Sequence, residues 1–150
     1  MLSFLRTDAN HTDFKALVAK LDAYLAIQDG DEHSFYDQYN QIHDIKYAIV
    51  GFQLGQAVAC GAIKAFSDTQ VEVKRMYVSP EVRGQGIASA LLMQLENWAA
   101  ELGYKSCVLE TGKRQPEAVA LYHKNGYRRI PNYGQYAQMD NSLCFEKLLR

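Results

Sequence analysis

With 150 residues, of which 48% are hydrophobic and 22% charged, the chain fits one globular domain, residues 1–150, with one hydrophobic core. Its formal net charge of −1 and its lack of a basic stripe argue against a nucleic-acid partner. The N-terminal segment lacks the apolar region of a signal peptide, and the longest apolar runs are far too short to span a bilayer. We therefore expect a cytoplasmic protein without a membrane partner.

The cysteines and histidines give no sign of a metal site or a disulfide framework. Cys60, Cys107 and Cys144 are odd in number, widely spaced and set in apolar surroundings, which is typical of buried reduced thiols. The histidines, which show no metal-ligand spacing, are His11, His33, His43 and His123. We therefore expect neither a metal ion nor a catalytic cysteine.

Hydrophobic periodicity predicts a helix followed by three strands in the first half of the chain. Apolar residues from Phe14 to Leu25 recur at helical spacing, so we expect a helix from Asp13 to about Ile27 that ends at an Asp-Gly pair. A short strand is expected before it, at Leu2–Arg6, and residues 31–44 are expected to be irregular or to form a short second helix. The three strands that follow are predicted at Ile45–Leu54, Gln56–Phe66 and Gln70–Val78.

The second half alternates helices and short strands. The clearest helix runs from Gly86 to Leu102 and is closed by Gly103 at the usual C-terminal position. A second helix is expected from Pro116, which suits the first helical position, to Asn125. Strands are predicted at Ser106–Glu110, Tyr127–Ile130 and Ser142–Leu148. This order indicates a mixed α/β domain with helices packed on a largely antiparallel sheet.

The turn Arg83-Gly84-Gln85-Gly86 between a strand and a helix raises the question of phosphate binding. A dinucleotide fingerprint would have a third glycine where Ser89 stands, and a P-loop would need a Gly-Lys-Ser/Thr run that is absent. Backbone N–H groups at the helix start could still hold a pyrophosphate, because a residue without Cβ lets the backbone approach phosphate oxygens. A plain strand-to-helix turn explains these residues equally well.

The strand before this turn changes its hydrophobic phase. In VEVKRMYV the apolar positions begin on Val71 and Val73 and then move to Met76 and Val78. A strand with a period of two cannot do this without slipping one residue, unless the tyrosine between the last two maintains the original phase. A β-bulge near Lys74–Arg75 would explain the slip, and bulges are common beside active sites. Such a bulge would separate this strand from its neighbour.

Two segments together resemble one protein family. Met76–Val78 followed by Arg83–Ala88 resembles the acetyl-CoA-binding motif of the GNAT acetyltransferase superfamily, Q/R-x-x-G-x-G/A. Gln115–Tyr127, with the sequence QPEAVALYHKNGY, resembles the second hallmark of that family, usually Asn-x-x-Ala-x-x-Leu-Tyr-x-x-x-Gly-Phe. The resemblance covers roughly residues 70–130. One departure is the glutamine at position 115, where the family often has asparagine.

This resemblance implies a fold and a cofactor site. The fold would be a largely antiparallel sheet with a splayed central strand pair and helices on both faces. The co-substrate would be acetyl-CoA, with the backbone of Met76 and Val78 paired to the pantetheine arm like an added strand. Amides from Arg83 through Ser89 would hold the pyrophosphate. The implied cofactor-binding residues are Met76, Tyr77, Val78, Arg83, Gly84, Gln85, Gly86, Ile87, Ala88, Ser89, Gln115 and Tyr122.

Acetyl transfer to an amine needs a proton acceptor for the amine and a proton donor for the departing thiolate. The resemblance places Tyr122 near the thioester sulfur, and a tyrosine is protonated near neutrality and can donate; the alternative is a tyrosine at the core edge. Glu72 is the first candidate for the base, since some family members carry a catalytic glutamate there, although it could equally be a surface carboxylate paired with Lys74. Glu110 is the second candidate and could also bind the ammonium group of the acceptor.

Two polar-aromatic segments are candidates for the acceptor pocket. In the first, His33, Tyr36 and Asn40 could line the pocket, or the segment could be a solvated loop. In the second, Tyr133 and Tyr136 lie in a glycine-containing loop before the last strand, and such loops often form a specificity lid. The same tyrosines would fit a contact with a second subunit, so a homodimer is left open.

The resulting functional prediction is an acetyl-CoA-dependent N-acetyltransferase. We expect direct attack by a primary amine in a ternary complex, without a covalent enzyme intermediate. A small-molecule acceptor is favoured because the chain has no acidic run and no appended recognition module. The alternatives are a protein acetyltransferase that acts on lysines or N-termini, and a non-catalytic acyl-CoA-binding regulatory module.

Overall fold

The computed structural model describes residues 1–39 and 41–149. Asn40, one of the residues predicted for the acceptor pocket, therefore lies outside the described residues. The elements in chain order are β1 (Leu2–Thr7), α1 (Thr12–Asp29), α2 (His33–Asp37), β2 (Tyr47–Gln53), β3 (Gln56–Ala65), β4 (Gln70–Val78), α3 (Ile87–Glu101), β5 (Ser106–Gly112), α4 (Pro116–Lys124), β6 (Arg128–Ile130) and β7 (Ser142–Leu148). Short 3₁₀ turns lie at Gly30–Glu32, Pro80–Val82 and Gly134–Tyr136.

The sequence predicted these elements and most of their ends. The strands expected at Gln70–Val78 and Ser142–Leu148 have those bounds, and the other ends match or differ by at most two residues. Gly86 has a φ of 78° and stands just before α3, so it is the cap of that helix and not its first residue. Residues 31–44 contain the short helix α2, and Tyr127 precedes β6 instead of opening it.

The strands form one sheet in the order β1-β2-β3-β4-β5-β7-β6. Every neighbouring pair is antiparallel except β4 and β5, which are parallel. That parallel pair is joined only at Gln70–Ser106, Val71–Cys107 and Glu72–Val108. Beyond these pairs both strands continue without pairing to each other, so the sheet opens between them. This confirms the predicted antiparallel sheet with a splayed central pair.

Helices cover both faces of the sheet, as predicted. On one face α3 and α4 pack on a core that includes Leu91, Leu95 and Phe145. On the other face α1 packs on β2 and β3 through residues such as Phe14 and Leu17. A smaller cluster around Tyr36, Tyr136 and Cys144 lies under α2. Alternate residues of each strand face opposite sides, which is why both faces carry a core.

A β-bulge interrupts β4 near the predicted position. Tyr77 pairs with Cys60 and Lys74 with Ala62, so two residues of β4, Arg75 and Met76, lie opposite the single residue Gly61 of β3. The φ of Arg75 is 60°, an uncommon conformation for a residue with a side chain. A Cβ on the opposing glycine would lie 2.8 Å from the sulfur of the bulged methionine, so a larger residue there would have to displace the methionine side chain.

The bulge explains the change of hydrophobic phase. Before it, Val71 and Val73 face the core under α3; after it, Met76 and Val78 pack against that same core. Tyr77 is turned to the opposite face, where it joins the core under α1. The predicted phase slip is therefore confirmed, and the tyrosine does not maintain the original phase.

A buried ion pair ties the bulge to α1. The Arg75 side chain is only 2% exposed, and its guanidinium contacts the carboxylate of Asp22, which is 44% exposed. The Nε of Arg75 is buried and has no hydrogen-bond partner among residues 1–39 and 41–149. Since a buried guanidinium needs a compensating charge, this aspartate fixes where α1 crosses the open part of β4.

The cysteines are free and buried, as predicted. Burial raises the pKa of Cys60 and Cys107 to about 12 and that of Cys144 to about 11, so none is a ready nucleophile at neutral pH. In the described part of the chain, no cluster of three or more His, Cys, Asp or Glu side chains is arranged to hold a metal ion. Within the same residues, no helix has the length and apolarity needed to cross a membrane.

We expect Asp22→Asn to lower the free energy of unfolding by about 2 kcal/mol, because it leaves the buried Arg75 unpaired. This loss is smaller than the roughly 3–5 kcal/mol expected when one partner of a fully buried pair is removed, because the aspartate is partly solvated. The matched control is Asp44→Asn, which breaks a pair with Lys64 whose side chains are both more than 40% exposed; its effect should be below about 1 kcal/mol. Equal losses for the two variants in urea titrations would contradict this account.

Candidate active site

The opening between β4 and β5 is the mouth of a cleft of about 650 Å³. Its walls come from the unpaired part of β4, the first turn of α3, one side of α4 and the C-terminal end of α1. Because β4 no longer pairs with β5 after Glu72, its later backbone groups on that side are available to a ligand. The cleft therefore combines an open strand edge with the start of a helix.

The strand edge includes two of the predicted cofactor residues. Met76 and Val78 are partly buried and line the cleft, and so does Tyr77. The carbonyl oxygen of Val78 accepts a hydrogen bond of 2.9 Å from Nε of Arg83. The guanidinium of that arginine lies 5.9 Å from the ring centre of Tyr24 and 5.8 Å from that of Tyr77. A ligand that pairs with this carbonyl must therefore displace the arginine side chain.

The glycine turn leaves space in front of α3. Gly84 and Gly86 have φ values of 81° and 78°, and no atom lies within 4 Å of where a Cβ would stand on either. The first N–H groups of a helix lack intrahelical partners and form the positive end of the helix dipole. In α3 no side chain caps them. Ile87, Ala88 and Ser89 line the cleft at this point. This arrangement suits a phosphate group.

Not every residue of the turn faces the cleft. Gln85 is exposed, lies outside the cleft lining, and accepts a hydrogen bond of 3.0 Å from the side chain of Gln53. Gln115 stands just before α4 and does line the cleft. The sequence motif thus marks a turn that borders the cleft, whereas the orientation of each side chain depends on the folded chain.

Tyr122 lies where α4 meets the cleft. It is 6% exposed, and its ring lies 5.7 Å from that of Tyr127 and 6.1 Å from that of Phe145. Burial raises the pKa of its hydroxyl, and the nearby charge of Glu110 adds to the effect. The hydroxyl is therefore protonated at neutral pH, as a proton donor must be.

Two carboxylates lie at the other end of the cleft. Glu72 is 8% exposed, so it is not a surface residue; its Oε2 accepts a hydrogen bond of 2.7 Å from Tyr133, and its Oε1 lies 3.6 Å from Nζ of Lys74. That lysine also donates to the carbonyl oxygen of Tyr39 at 2.7 Å. Burial raises the pKa of Glu110 to about 7, against the hydrogen bond from Ser142, and the charge of Glu72 raises it further.

The aromatic residues predicted for the acceptor pocket separate into two groups. Tyr36 and Tyr136 are buried, line the cleft and stack with ring centres 6.2 Å apart. Tyr133 lies outside the lining and reaches the cleft through its hydrogen bond to Glu72. His33 does not line the cleft: its Nδ1 is buried without a hydrogen bond and lies 3.8 Å from an oxygen of Asp29.

Sequence reasoning missed several polar residues that close this end of the cleft. Arg114 donates to the carbonyl oxygens of Gln28 and Asp29 at 3.1 and 2.8 Å and so covers the C-terminal end of α1. Asn141 donates to Glu32 in the turn that follows this helix. The sequence pattern indicates only a helix end at the Asp29-Gly30 pair. No hydrophobic periodicity distinguishes Arg114, Asn141 or Glu32.

Comparison with known proteins agrees with this geometry. The profile of the Acetyltransferase (GNAT) family matches residues 14–127, which is about three quarters of the chain. The chain belongs to this family and is an N-acetyltransferase. A protein of Azospirillum brasilense named IAA acetyltransferase is 35% identical over 136 residues, 89% of this chain and 88% of that protein. The uncharacterized N-acetyltransferase YjgM of Escherichia coli is 31% identical over 112 residues, 73% of this chain and 66% of that protein.

Solved structures confirm the fold. A Klebsiella pneumoniae protein classed with the acyl-CoA N-acyltransferases is 32% identical and has a TM-score of 0.83, with 100% of this chain and 99% of that chain covered. A GNAT acetyltransferase of Elizabethkingia anophelis with acetyl-CoA bound has a TM-score of 0.73 at 17% identity, over 99% and 98% of the two chains. The GNAT fold predicted from two short motifs is therefore confirmed across the whole chain.

We expect Gly86→Trp to weaken acetyl-CoA binding by roughly a hundredfold or more. The indole would fill the open space before α3, and loss of two charge-assisted hydrogen bonds, at about 1.5 kcal/mol or more each, corresponds to this factor. The matched control is Gly55→Trp in the hairpin between β2 and β3, where φ is 77° and the space for a Cβ is also open. Calorimetric titration should show normal affinity in the control; normal affinity in a folded Gly86→Trp would contradict the assignment.

Proposed function

We propose that this N-acetyltransferase moves the acetyl group of acetyl-CoA to the primary amine of a small molecule, by direct attack in a ternary complex. The observation that carries the proposal is the cleft itself. One end has an uncapped helix start beside two open glycines, and the other end has the carboxylates of Glu72 and Glu110. A phosphate-bearing acetyl donor at one end and a separate amine acceptor at the other fit this order of charges.

The cofactor would lie along β4 and end at α3. The pantetheine amides would pair with the backbone of Met76 and Val78 as an added strand, once Arg83 has released the carbonyl that it now occupies. The freed guanidinium would then lie near the pyrophosphate. Amides of the glycine turn and of Ile87 to Ser89 would hold that pyrophosphate. Gln115 would contact the same arm from the start of α4.

The reaction needs proton transfers at two atoms. The nitrogen of the amine attacks the thioester carbonyl carbon and loses a proton to a carboxylate, either Glu72 or Glu110. The C–S bond then breaks, and the sulfur receives a proton from Tyr122. Because the hydroxyl of this tyrosine is buried and protonated at neutral pH, it can donate without competition from bulk water.

The closed far end of the cleft favours a small acceptor over a protein. Tyr36 and Tyr136 stack across it, and contacts of Arg114 with the end of α1 and of Asn141 with Glu32 join its two sides. A protein substrate would need an open groove there for its main chain. The contacts that join the two sides of the acceptor end instead favour a small amine.

An amine panel tests the proposed function. The purified protein is mixed with acetyl-CoA and with small primary amines, lysine-containing peptides or peptide N-termini, and free thiol is measured. Thiol release that depends on a small amine, with an acetylated product of matching mass, supports the proposal. Faster transfer to peptides would establish the protein acetyltransferase, and tight acetyl-CoA binding without any acetylated product would establish the regulatory module.

We expect Tyr122→Phe to lower kcat by about 10²-fold and to change the affinity for acetyl-CoA little. The substitution removes a proton donor, which typically contributes a factor of roughly 10²–10⁴, and keeps the buried ring. The control is Tyr47→Phe, a tyrosine that packs on Trp98 with ring centres 5.2 Å apart, outside the cleft lining. An unchanged kcat in Tyr122→Phe would move the donor role to water or another group.

A further inference from the structure

We propose that the two carboxylates of the cleft have different tasks. Glu110 accepts the proton of the attacking amine, and Glu72 is a fixed negative charge, positioned by Tyr133 and Lys74, that makes Glu110 the better proton acceptor. The inference rests on the proposed amine acetylation and decides between the two bases that it leaves open.

Both oxygens of Glu72 are already engaged. Tyr133 donates to Oε2 at 2.7 Å, and the ammonium group of Lys74 lies 3.6 Å from Oε1. The ammonium group is itself anchored by the carbonyl oxygen of Tyr39 at 2.7 Å. A proton taken from an amine would remove the negative charge that both of these contacts stabilise. Its charge is held in place instead.

Glu110 is placed to meet the amine. Glu72 pairs with Val108 across the last joined position of β4 and β5, and Glu110 follows two residues later on the same face, where the strands have separated. No salt bridge joins it to a cation in the part of the chain that the structure describes. Ser142 lies close enough to lower the pKa of Glu110, and the hydroxyl of that serine lies 2.9 Å from that of Tyr36.

These hydroxyls form a short chain that orients the base. A serine hydroxyl has one proton to donate. If Ser142 donates it to Glu110, the hydroxyl of Tyr36 must donate to the serine oxygen. In this order of donors, Ser142 would approach one oxygen of the glutamate from β7 and would leave the other oxygen for the substrate. Tyr36 and Ser142 are positioning residues in this arrangement.

The surroundings of Glu110 set the pH at which it can act. Burial raises its pKa most, the charges of Glu72 and Asp29 raise it further, and Ser142 and Lys74 lower it, with a result of about 7. The ionisable groups that face it from α1, α2, β4, α4, β7 and the loop before β7 are Asp29, Tyr36, Glu72, Lys74, Tyr122, Tyr136 and Cys144. A general base works best when its pKa lies near the operating pH.

The transfer then balances. The C–N bond forms as the lone pair of the amine attacks, and one N–H proton passes to the carboxylate of Glu110. The C–S bond breaks, and the thiolate takes the proton of Tyr122. Solvent carries the proton from Glu110 back to the tyrosine, so the products are the N-acetylamine and free CoA, and the protein is unchanged.

The pH dependence of kcat/KM with one amine tests the division of tasks. We expect an acidic limb near pH 7 in the wild type. In Glu110→Gln the limb should be lost and the rate reduced by roughly 10²–10⁴-fold. In Glu72→Gln the limb should remain and move to lower pH by about one unit. Ionisation of the amine contributes equally to every variant. Glu101→Gln, at an exposed pair with Arg6, is the matched control and should leave the profile unchanged.

Tyr133→Phe tests the positioning role. The substitution keeps the charge of Glu72 but removes the hydrogen bond that positions this charge. The limb should therefore move in the same direction as in Glu72→Gln but less, and the KM for acetyl-CoA should be unchanged. An unchanged profile in this variant would remove Tyr133 from the proposal. Loss of the limb in Glu72→Gln with its retention in Glu110→Gln would make Glu72 the base and overturn the assignment.

A second measurement does not depend on turnover. The raised pKa means that ionisation of Glu110 is less favourable in the folded protein than in the unfolded chain. The stability that the neutral carboxyl provides is present in full below about pH 4.5 and is lost as the pH rises through about 7. The melting temperature of Glu110→Gln relative to wild type should therefore rise over this range. A constant difference would overturn the electrostatic part even if no amine were acetylated, and failure of the amine panel alone would overturn only the proposed function.

Discussion

The structure depends on the fact that β4 pairs with β5 over only three residues. A bulge at Arg75 and Met76, opposite a glycine that leaves room for the methionine, turns the second half of β4 away from its neighbour. Main-chain groups that would otherwise be used inside the sheet become available to a ligand. The cleft, the position of α3 across one end of it and the separation of the two glutamates all follow from this one interruption.

The same interruption requires compensation elsewhere. Arg75 has a positive φ, and its guanidinium is buried, so Asp22 of α1 has to balance its charge. Glu110 is held where ionisation is unfavourable, which lowers the stability of the fold at neutral pH and provides a proton acceptor at the same pH. Local strain and buried charge are thus concentrated around the cleft, as expected where function and stability compete. The apolar residues that α3 packs on the sheet offset part of this cost.

The cofactor end of the cleft could be predicted because its determinants are local in the sequence. A helix start, two glycines with positive φ and a strand that slips one residue lie within Val71–Ser89, and each leaves a pattern in residue type or spacing. The strand and helix assignments succeeded for the same reason, since period and capping residues report on neighbours along the chain. What the pattern did not give was side-chain direction: Gln85, within the motif, bonds to Gln53 on the hairpin and not to the cleft.

The acceptor end could not be predicted in the same way, because it is assembled from five separate segments. By itself, the sequence determined the family, the fold and the glycine turn before α3, since these depend on contacts between near neighbours and on short motifs. Only the tertiary structure decided that Glu72 accepts a hydrogen bond from Tyr133, which lies 61 residues away in the sequence. The same holds for the packing of Glu110 beside Glu72 and for the position of His33 outside the cleft. The physical reason is that burial and charge coupling depend on which distant segments pack together, and no periodicity in a single chain records that.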